Sequence, residues 1–175
     1  MELFDALEKR HSYRGPFLDK PVNREDLNRI VQAALLAPSA KNAQTTAFIV
    51  VDDPELVRQI AVLHEFNVAF QQAKAFIGCL VDKEPEAVYE GYAFQIEDCA
   101  VATLSMLLAA TALGYAGVWV DGWLRLKDHA AIIGKLLNIP EDKTLRIIIP
   151  LGVPAEERKQ PTKKPLEERA RFNRF

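Results

Sequence analysis

Tyr92-Ala93-Phe94-Gln95-Ile96-Glu97-Asp98-Cys99-Ala100-Val101-Ala102-Thr103-Leu104-Ser105-Met106-Leu107-Leu108-Ala109-Ala110-Thr111-Ala112-Leu113 is the longest helix-forming run in the chain. Gly114 follows, the residue best suited to the left-handed position just past a helix end. Small and apolar residues fall on several sides of this helix, so it belongs either at the centre of the fold or in a subunit contact. Its most apolar part, Ala100 to Leu113, is broken by Thr103, Ser105 and Thr111 and is too short to span a bilayer.

Outward from this helix the chain alternates in type. Ala75 to Val81 precedes it and Tyr115 to Val120 follows it, both reading as buried strands. Thr46 to Val51 and Thr144 to Leu151 read the same way. Leu3, Phe4 and Leu7 give residues 2 to 10 one apolar helical side. Asn23 caps a second helix with Leu27, Ile30, Val31, Ala34 and Leu35 inside, ended by Pro38. Asp53-Pro54 opens another in cap-then-proline order, and residues 126 to 138 form one more, with Ala130, Ile133, Leu136 and Leu137 inward. The predicted order is α, α, β, α, α, β, long α, β, α, β and a tail. Residues 155 to 171 are mostly charged, yet the chain closes with Phe172 and Phe175. Aromatic residues on a polar terminus suit an arm laid over a partner subunit, or else a frayed end.

With 175 residues, 49% hydrophobic and 26% charged, the chain reads as one globular domain. A net charge of -2 lacks the basic field that nucleic acid requires. The first residues carry Glu2, Asp5 and Glu8 and lack the basic start and apolar core of a secretory signal, so a cytoplasmic location is expected, with no membrane partner. Cys79 and Cys99 read as buried reduced thiols, and His11, His64 and His129 are too scattered to suggest a metal site.

The first strand runs into Asp52-Asp53-Pro54 without the glycine-rich turn of a dinucleotide fold. There is no P-loop and no Gly-x-Ser-x-Gly elbow, so nucleophile-based hydrolase and transferase chemistry has no carrier. Two motifs remain. In Lys9-Arg10-His11-Ser12-Tyr13-Arg14, two guanidinium groups bracket a serine hydroxyl, either as a phosphate clamp or as solvated surface charge. Ala37-Pro38-Ser39-Ala40-Lys41-Asn42-Ala43-Gln44 is the second.

These two, with Phe48-Ile49-Val50-Val51, Leu113-Gly114-Tyr115-Ala116-Gly117-Val118-Trp119-Val120-Asp121-Gly122, Pro150-Leu151-Gly152 and Lys163-Lys164-Pro165-Leu166-Glu167-Glu168, resemble the nitroreductase-like FMN-dependent oxidoreductases along essentially the whole chain. The resemblance implies an α+β fold, a central mainly antiparallel sheet flanked by helices on both faces, in an intertwined homodimer. It implies a single domain over residues 1–175, with 155–175 as an arm around the partner.

It further implies FMN as cofactor and NAD(P)H as electron donor, with a nitroaromatic or quinone as a small-molecule acceptor reduced by a ping-pong route. Arg10, Ser12 and Lys163 would hold the FMN phosphate, and His11 and Arg14 would lie along the ribityl chain and pyrimidine edge. Pro38, Ser39, Ala40 and Asn42 would reach over from the second subunit. Val120, Asp121 and Gly122 would offer backbone N–H groups to the flavin, and Asn67 would touch its pyrimidine end. No side chain is assigned a catalytic role, because the flavin carries the chemistry.

The chain departs from the pattern at Thr45, where proline is usual, at Lys41, where a small residue is common, and at Ala73-Lys74-Ala75, which lacks the frequent Ala-Pro. The short 82–90 segment implies a truncated lid and an open pocket. A dehalogenase or flavin-cleaving activity on the same fold, or a flavin-binding protein without turnover, are the other readings.

Overall fold

The computed structural model describes all 175 residues. Helices α1 (Leu3–Lys9) and α2 (Arg24–Leu35) precede strand β1 (Ala47–Val51). Helices α3 (Pro54–Ala61) and α4 (Val68–Gln71) lead to β2 (Ala75–Asp82). Then come α5 (Gln95–Ala112), β3 (Ala116–Gly117), α6 (His129–Leu136), β4 (Lys143–Gly152) and α7 (Leu166–Arg169). The four strands form one sheet in the order β1-β2-β4-β3, with every pairing antiparallel.

Strand alternation divides the core into two layers, because successive side chains leave a strand on opposite faces. From β2, Ala75, Ile77, Cys79 and Val81 point to the layer of α2 and α5, among Leu27, Ile30, Met106 and Leu107. Phe76 and Leu80 point to the other layer, among Ile60, Phe70 and Ile133. Helices therefore cover both faces of the sheet, which is why the strands read as continuous apolar runs. At Gly78 a Cβ would come within 2.6 Å of Leu145 and 2.8 Å of Ile49, so only glycine lets these two side chains meet over the strand. Cys79 pairs with Ile147 while Leu80 pairs with Leu145, leaving Arg146 as the extra residue of a β-bulge. No helix is long and apolar enough to cross a membrane.

Side-chain caps set several helix starts. The Asn23 side chain accepts the Glu25 N–H at 2.8 Å, and Asp53 accepts those of Glu55 and Leu56 at 3.0 and 2.9 Å, with Pro54 in the first turn. The long helix starts at Gln95 rather than Tyr92. Tyr92 instead folds back on Val88 and Tyr89 through backbone hydrogen bonds, and Phe94 takes a left-handed φ of 58° that no helix continues. Gln95 then clasps β2, its side chain accepting the Asp82 N–H and donating to the Asp82 carbonyl, both at 2.9 Å.

The strand expected over Tyr115 to Val120 shrinks to Ala116–Gly117 plus one bridge from Val120 to Ile148. The sixth helix starts at His129 rather than 126, because Lys127 and Asp128 hold left-handed φ values of 48° and 57°. Helix α1 is amphipathic as read, but its apolar side faces outward. Leu3, Phe4 and Leu7 are exposed, and Ala6 alone is buried. Helix α5, against which α1 packs, likewise leaves Ile96, Val101 and Leu104 about two-fifths exposed.

Candidate functional site

Helix α1 ends at Lys9, and Arg10 leaves it in an extended conformation. An extended chain puts alternate side chains on one side, so Arg10, Ser12 and Arg14 oppose His11 and Tyr13. Tyr13 is the anchor: buried, its N–H donating to the Gly117 carbonyl at 3.0 Å, its hydroxyl donating to the Pro16 carbonyl at 2.5 Å, its ring stacked on Phe17. Neither Arg10 nor Arg14 has a carboxylate partner. The His11 ring places Nδ1 2.9 Å from the Lys9 carbonyl, which can only accept, so Nδ1 carries the proton. Its Nε2 is buried and has no partner in the chain.

Beside it opens a cavity of about 480 Å³ lined by His11, Tyr13, Thr111, Tyr115, Arg158 and Gln160. Arg10, Ser12 and Arg14 do not line it; they lie along the other side of the segment.

The tail returns to this corner. Ala155 donates to the Pro16 carbonyl at 3.0 Å, and the Gln160 side chain donates to the Arg10 carbonyl at 2.5 Å. Lys163 lies three residues further on, within roughly 10 Å of chain length, and makes no ion pair.

The loop after α2 occupies the opposite end of α5. Ala40–Asn42 form one 3-10 turn, and Lys41, Asn42 and Gln44 hold left-handed φ values of 47°, 56° and 52°. Non-glycine residues held in this region cost on the order of 1 kcal/mol each and persist only where the surroundings over-determine them. Here the Ser39 hydroxyl accepts the Gln44 N–H at 3.0 Å. Asp98, in the first turn of α5, accepts the Ala40 N–H at 3.1 Å and the Thr45 hydroxyl at 2.9 Å. The Lys41 ammonium sits 4.4 Å above the Tyr89 ring, which ties this loop to the short segment before α5. Between them lies a second cavity, about 810 Å³, lined by Gln44, Thr45, Glu84, Glu86 and Gln95 among others.

The third element is the turn after β3. Val120 was expected to offer its N–H to a ligand, but that group donates to the Ile148 carbonyl at 3.1 Å, and the Val120 carbonyl accepts in return. The N–H groups of Asp121 and Gly122 have no acceptor in the chain. The Asp121 carboxylate is also engaged, accepting from Arg146 at 2.5 Å and from Arg125 at 2.8 and 3.0 Å. Asn67 uses its side-chain oxygen to cap α4 through the Phe70 N–H at 3.3 Å, leaving its amide nitrogen free. Trp123 lies between two imidazoles, with ring centroids 4.7 Å from His64 and 3.9 Å from His129, both stacked.

Within one chain these parts do not converge. His11 and Tyr13 share a cavity wall with Thr111, whereas the Pro38–Asn42 loop is held by Asp98. About thirteen residues of helix separate those points, roughly 20 Å at 1.5 Å per residue. Asp98, Gln160 and Arg146 were not singled out from the sequence. Asp98 left one signal there, a carboxylate followed at once by an apolar helix; the bulge that exposes Arg146 left none.

The Nitroreductase family profile matches residues 7–87 and 66–153. The chain belongs to the nitroreductase family. A protein of Archaeoglobus fulgidus described as an NADH dehydrogenase/NAD(P)H nitroreductase is 34% identical over 157 residues, covering 90% of this chain and 88% of its own. Among solved structures, an FMN-dependent nitroreductase of Clostridium difficile R20291 is 30% identical, with a TM-score of 0.81 over 98% of this chain and 99% of its own. A nitroreductase from Desulfovibrio desulfuricans in complex with FMN is 26% identical, with a TM-score of 0.81 over 100% and 98%. The antiparallel sheet covered on both faces is thus the architecture of solved nitroreductases.

Proposed function

We propose that this nitroreductase-family chain is an FMN-dependent oxidoreductase that uses NAD(P)H to reduce a small acceptor, a nitroaromatic or a quinone, as a homodimer. The observation that carries the reading is a set of polar groups left without strong partners, most of them donors. The guanidinium groups of Arg10 and Arg14 have no carboxylate partner, Arg14 making only a long 3.4 Å bond to the Ser12 carbonyl, and the N–H groups of Asp121 and Gly122 are unused, while the unprotonated His11 Nε2 is a buried acceptor without a donor. Such a set suits a ligand rich in acceptors and negative charge, and FMN offers both in its phosphate and its ring carbonyls and nitrogens.

When bound, FMN supplies a carrier that takes two electrons from NAD(P)H and passes them to the acceptor. The residues of the chain hold and tune it. Arg10, Ser12 and Lys163 would take the phosphate as charge-assisted donors. Arg14 and His11 would line the ribityl chain and pyrimidine edge, where a cation favours the reduced, anionic form. Asp121 and Gly122 would offer backbone N–H groups, and the free amide of Asn67 a further donor.

The separation of roughly 20 Å along α5 supports a second copy as the source of Pro38, Ser39, Ala40 and Asn42. The outward apolar faces of α1 and α5 support the same dimer, since burying one leucine or phenylalanine contributes about 1.5–3 kcal/mol. Exposed Phe172 and Phe175 suit an arm, residues 155–175, laid on the partner.

The test is the visible spectrum of the purified protein, then anaerobic addition of NAD(P)H. Bound FMN that bleaches, and recovers its colour with a nitroaromatic or quinone, is the expected result. Protein without FMN, or FMN that NAD(P)H does not bleach, would overturn the enzymatic reading.

A further inference from the structure

Asp98 is a buried carboxylate, 7% exposed, with no cationic partner. Its place in the first turn of α5 lets the positive end of the helix offset its charge. Its oxygens leave the helix and serve the neighbouring loop: Oδ1 accepts the Ala40 N–H and Oδ2 accepts the Thr45 hydroxyl. These two bonds grip the loop at both ends of the run Lys41–Gln44, in which three non-glycine residues are left-handed. Only two other side-chain bonds hold that run, from the Gln44 N–H to the Ser39 hydroxyl and, at 3.3 Å, from the Gln44 side-chain amide to the Asn42 carbonyl. Residue 45 is where a proline ring would stiffen the chain without help. Threonine needs an acceptor to do the same, and Asp98 is that acceptor.

We propose that Asp98 is a positioning residue for the cofactor, fixing the Ser39–Asn42 loop in the shape that meets an FMN held by Arg10 and Ser12 of a second copy of this chain. The inference rests on the FMN-enzyme reading above. An unheld loop would relax out of its left-handed conformations, and the groups of Ser39, Ala40 and Asn42 would have to be reordered at each binding event, weakening the cofactor rather than the fold. Asparagine at 98 keeps the oxygen for Ala40 and can turn its amide toward the Thr45 hydroxyl, which then accepts, so it preserves most of the grip.

The experiment titrates apo-protein with FMN and reads the dissociation constant from flavin fluorescence. Asp98→Ala should weaken FMN by about tenfold or more, Thr45→Val by less, and the two together by no more than Asp98→Ala alone. Asp98→Asn should restore most of the affinity. A merely structural role would not predict the next result. Differently tagged Arg10→Ala and Asp98→Ala chains, co-expressed and purified as mixed dimers, contain one site with an intact arginine and an intact loop. They should hold one tight FMN per dimer, whereas each homodimer of variants holds none tightly.

Wild-type FMN affinity in Asp98→Ala, or mixed dimers with no tight FMN, would overturn the proposal. An Asp98→Ala chain that does not fold leaves Asp98→Asn and Thr45→Val as the measure, and wild-type affinity in Thr45→Val would overturn it equally. Undiminished FMN binding by the Arg10→Ala homodimer would instead overturn the cofactor site beneath it.

Discussion

Asp121 shows how a single residue can carry two jobs. Its N–H is free for a ligand, while its carboxylate joins Arg125, which is largely exposed, to Arg146, whose side chain is 18% exposed. An exposed pair contributes little, so the Arg146 contact dominates. Asp121→Asn should leave the N–H in place and FMN content near wild type, yet lower stability by about 1–3 kcal/mol as a hydrogen bond between charges is lost. Thermal unfolding would show this as a drop of several degrees, and an unchanged melting temperature would mark the bridge as idle.

His64 gives a second residue-scale expectation. Burial against Trp123 and Phe70, then the nearby His129, hold its imidazole below the ordinary value of 6.5, with Glu65 opposing. The unfolded chain therefore takes up this proton first, so stability should fall as pH drops through about 6.5 and level off below the folded-state value. His64→Phe keeps the stack and removes the proton, so the difference in melting temperature between about pH 8 and 5.5 should narrow. An equal slope in both proteins would place the titration elsewhere.

At the scale of elements, what the sequence made legible follows from local chemistry. Asn23 and Asp53-Pro54 marked helix starts correctly because a cap is a contact between neighbours, and β2 and β4 were visible because burial on both faces makes a strand uniformly apolar. The run Tyr115 to Val120 is strand only in part, because pairing depends on β4, which meets it at Gly152, Leu151 and then Ile148 alone, a long-range match no local pattern announces. The donors of the arginine turn were legible as residue types, whereas Asp98 became visible only through contacts 53 and 58 residues away.

Helix α1 was read with the right period and its apolar side was left without an own-chain partner, which turns attention to the tail. Deleting residues 170–175 removes Phe172 and Phe175, which lie exposed on the single chain. If they bury on a partner, the truncated protein should melt lower and hold FMN less tightly, because dimer and cofactor both stabilise the folded state by mass action. Unchanged melting and FMN content would show the arm to be a frayed end.

At the scale of the whole molecule, the question is where two substrates can bind. The chain carries no dinucleotide fold that would hold NAD(P)H apart from the acceptor. The strand β1 passes through Asp52 directly into the Asp53 cap of α3, with no phosphate-binding turn, and every strand pair is antiparallel. The segment between β2 and α5 carries no helix that could form a second compartment. On the proposed reading, NAD(P)H and the acceptor would share the open side of the cofactor site and use it in turn. Steady-state rates measured against NAD(P)H at several fixed concentrations of a quinone or nitroaromatic should give parallel double-reciprocal lines. Excess NAD(P)H should compete with the acceptor, raising its apparent KM without lowering the rate at saturating acceptor. Lines that intersect would mean that both substrates are held together, and would overturn the shared site.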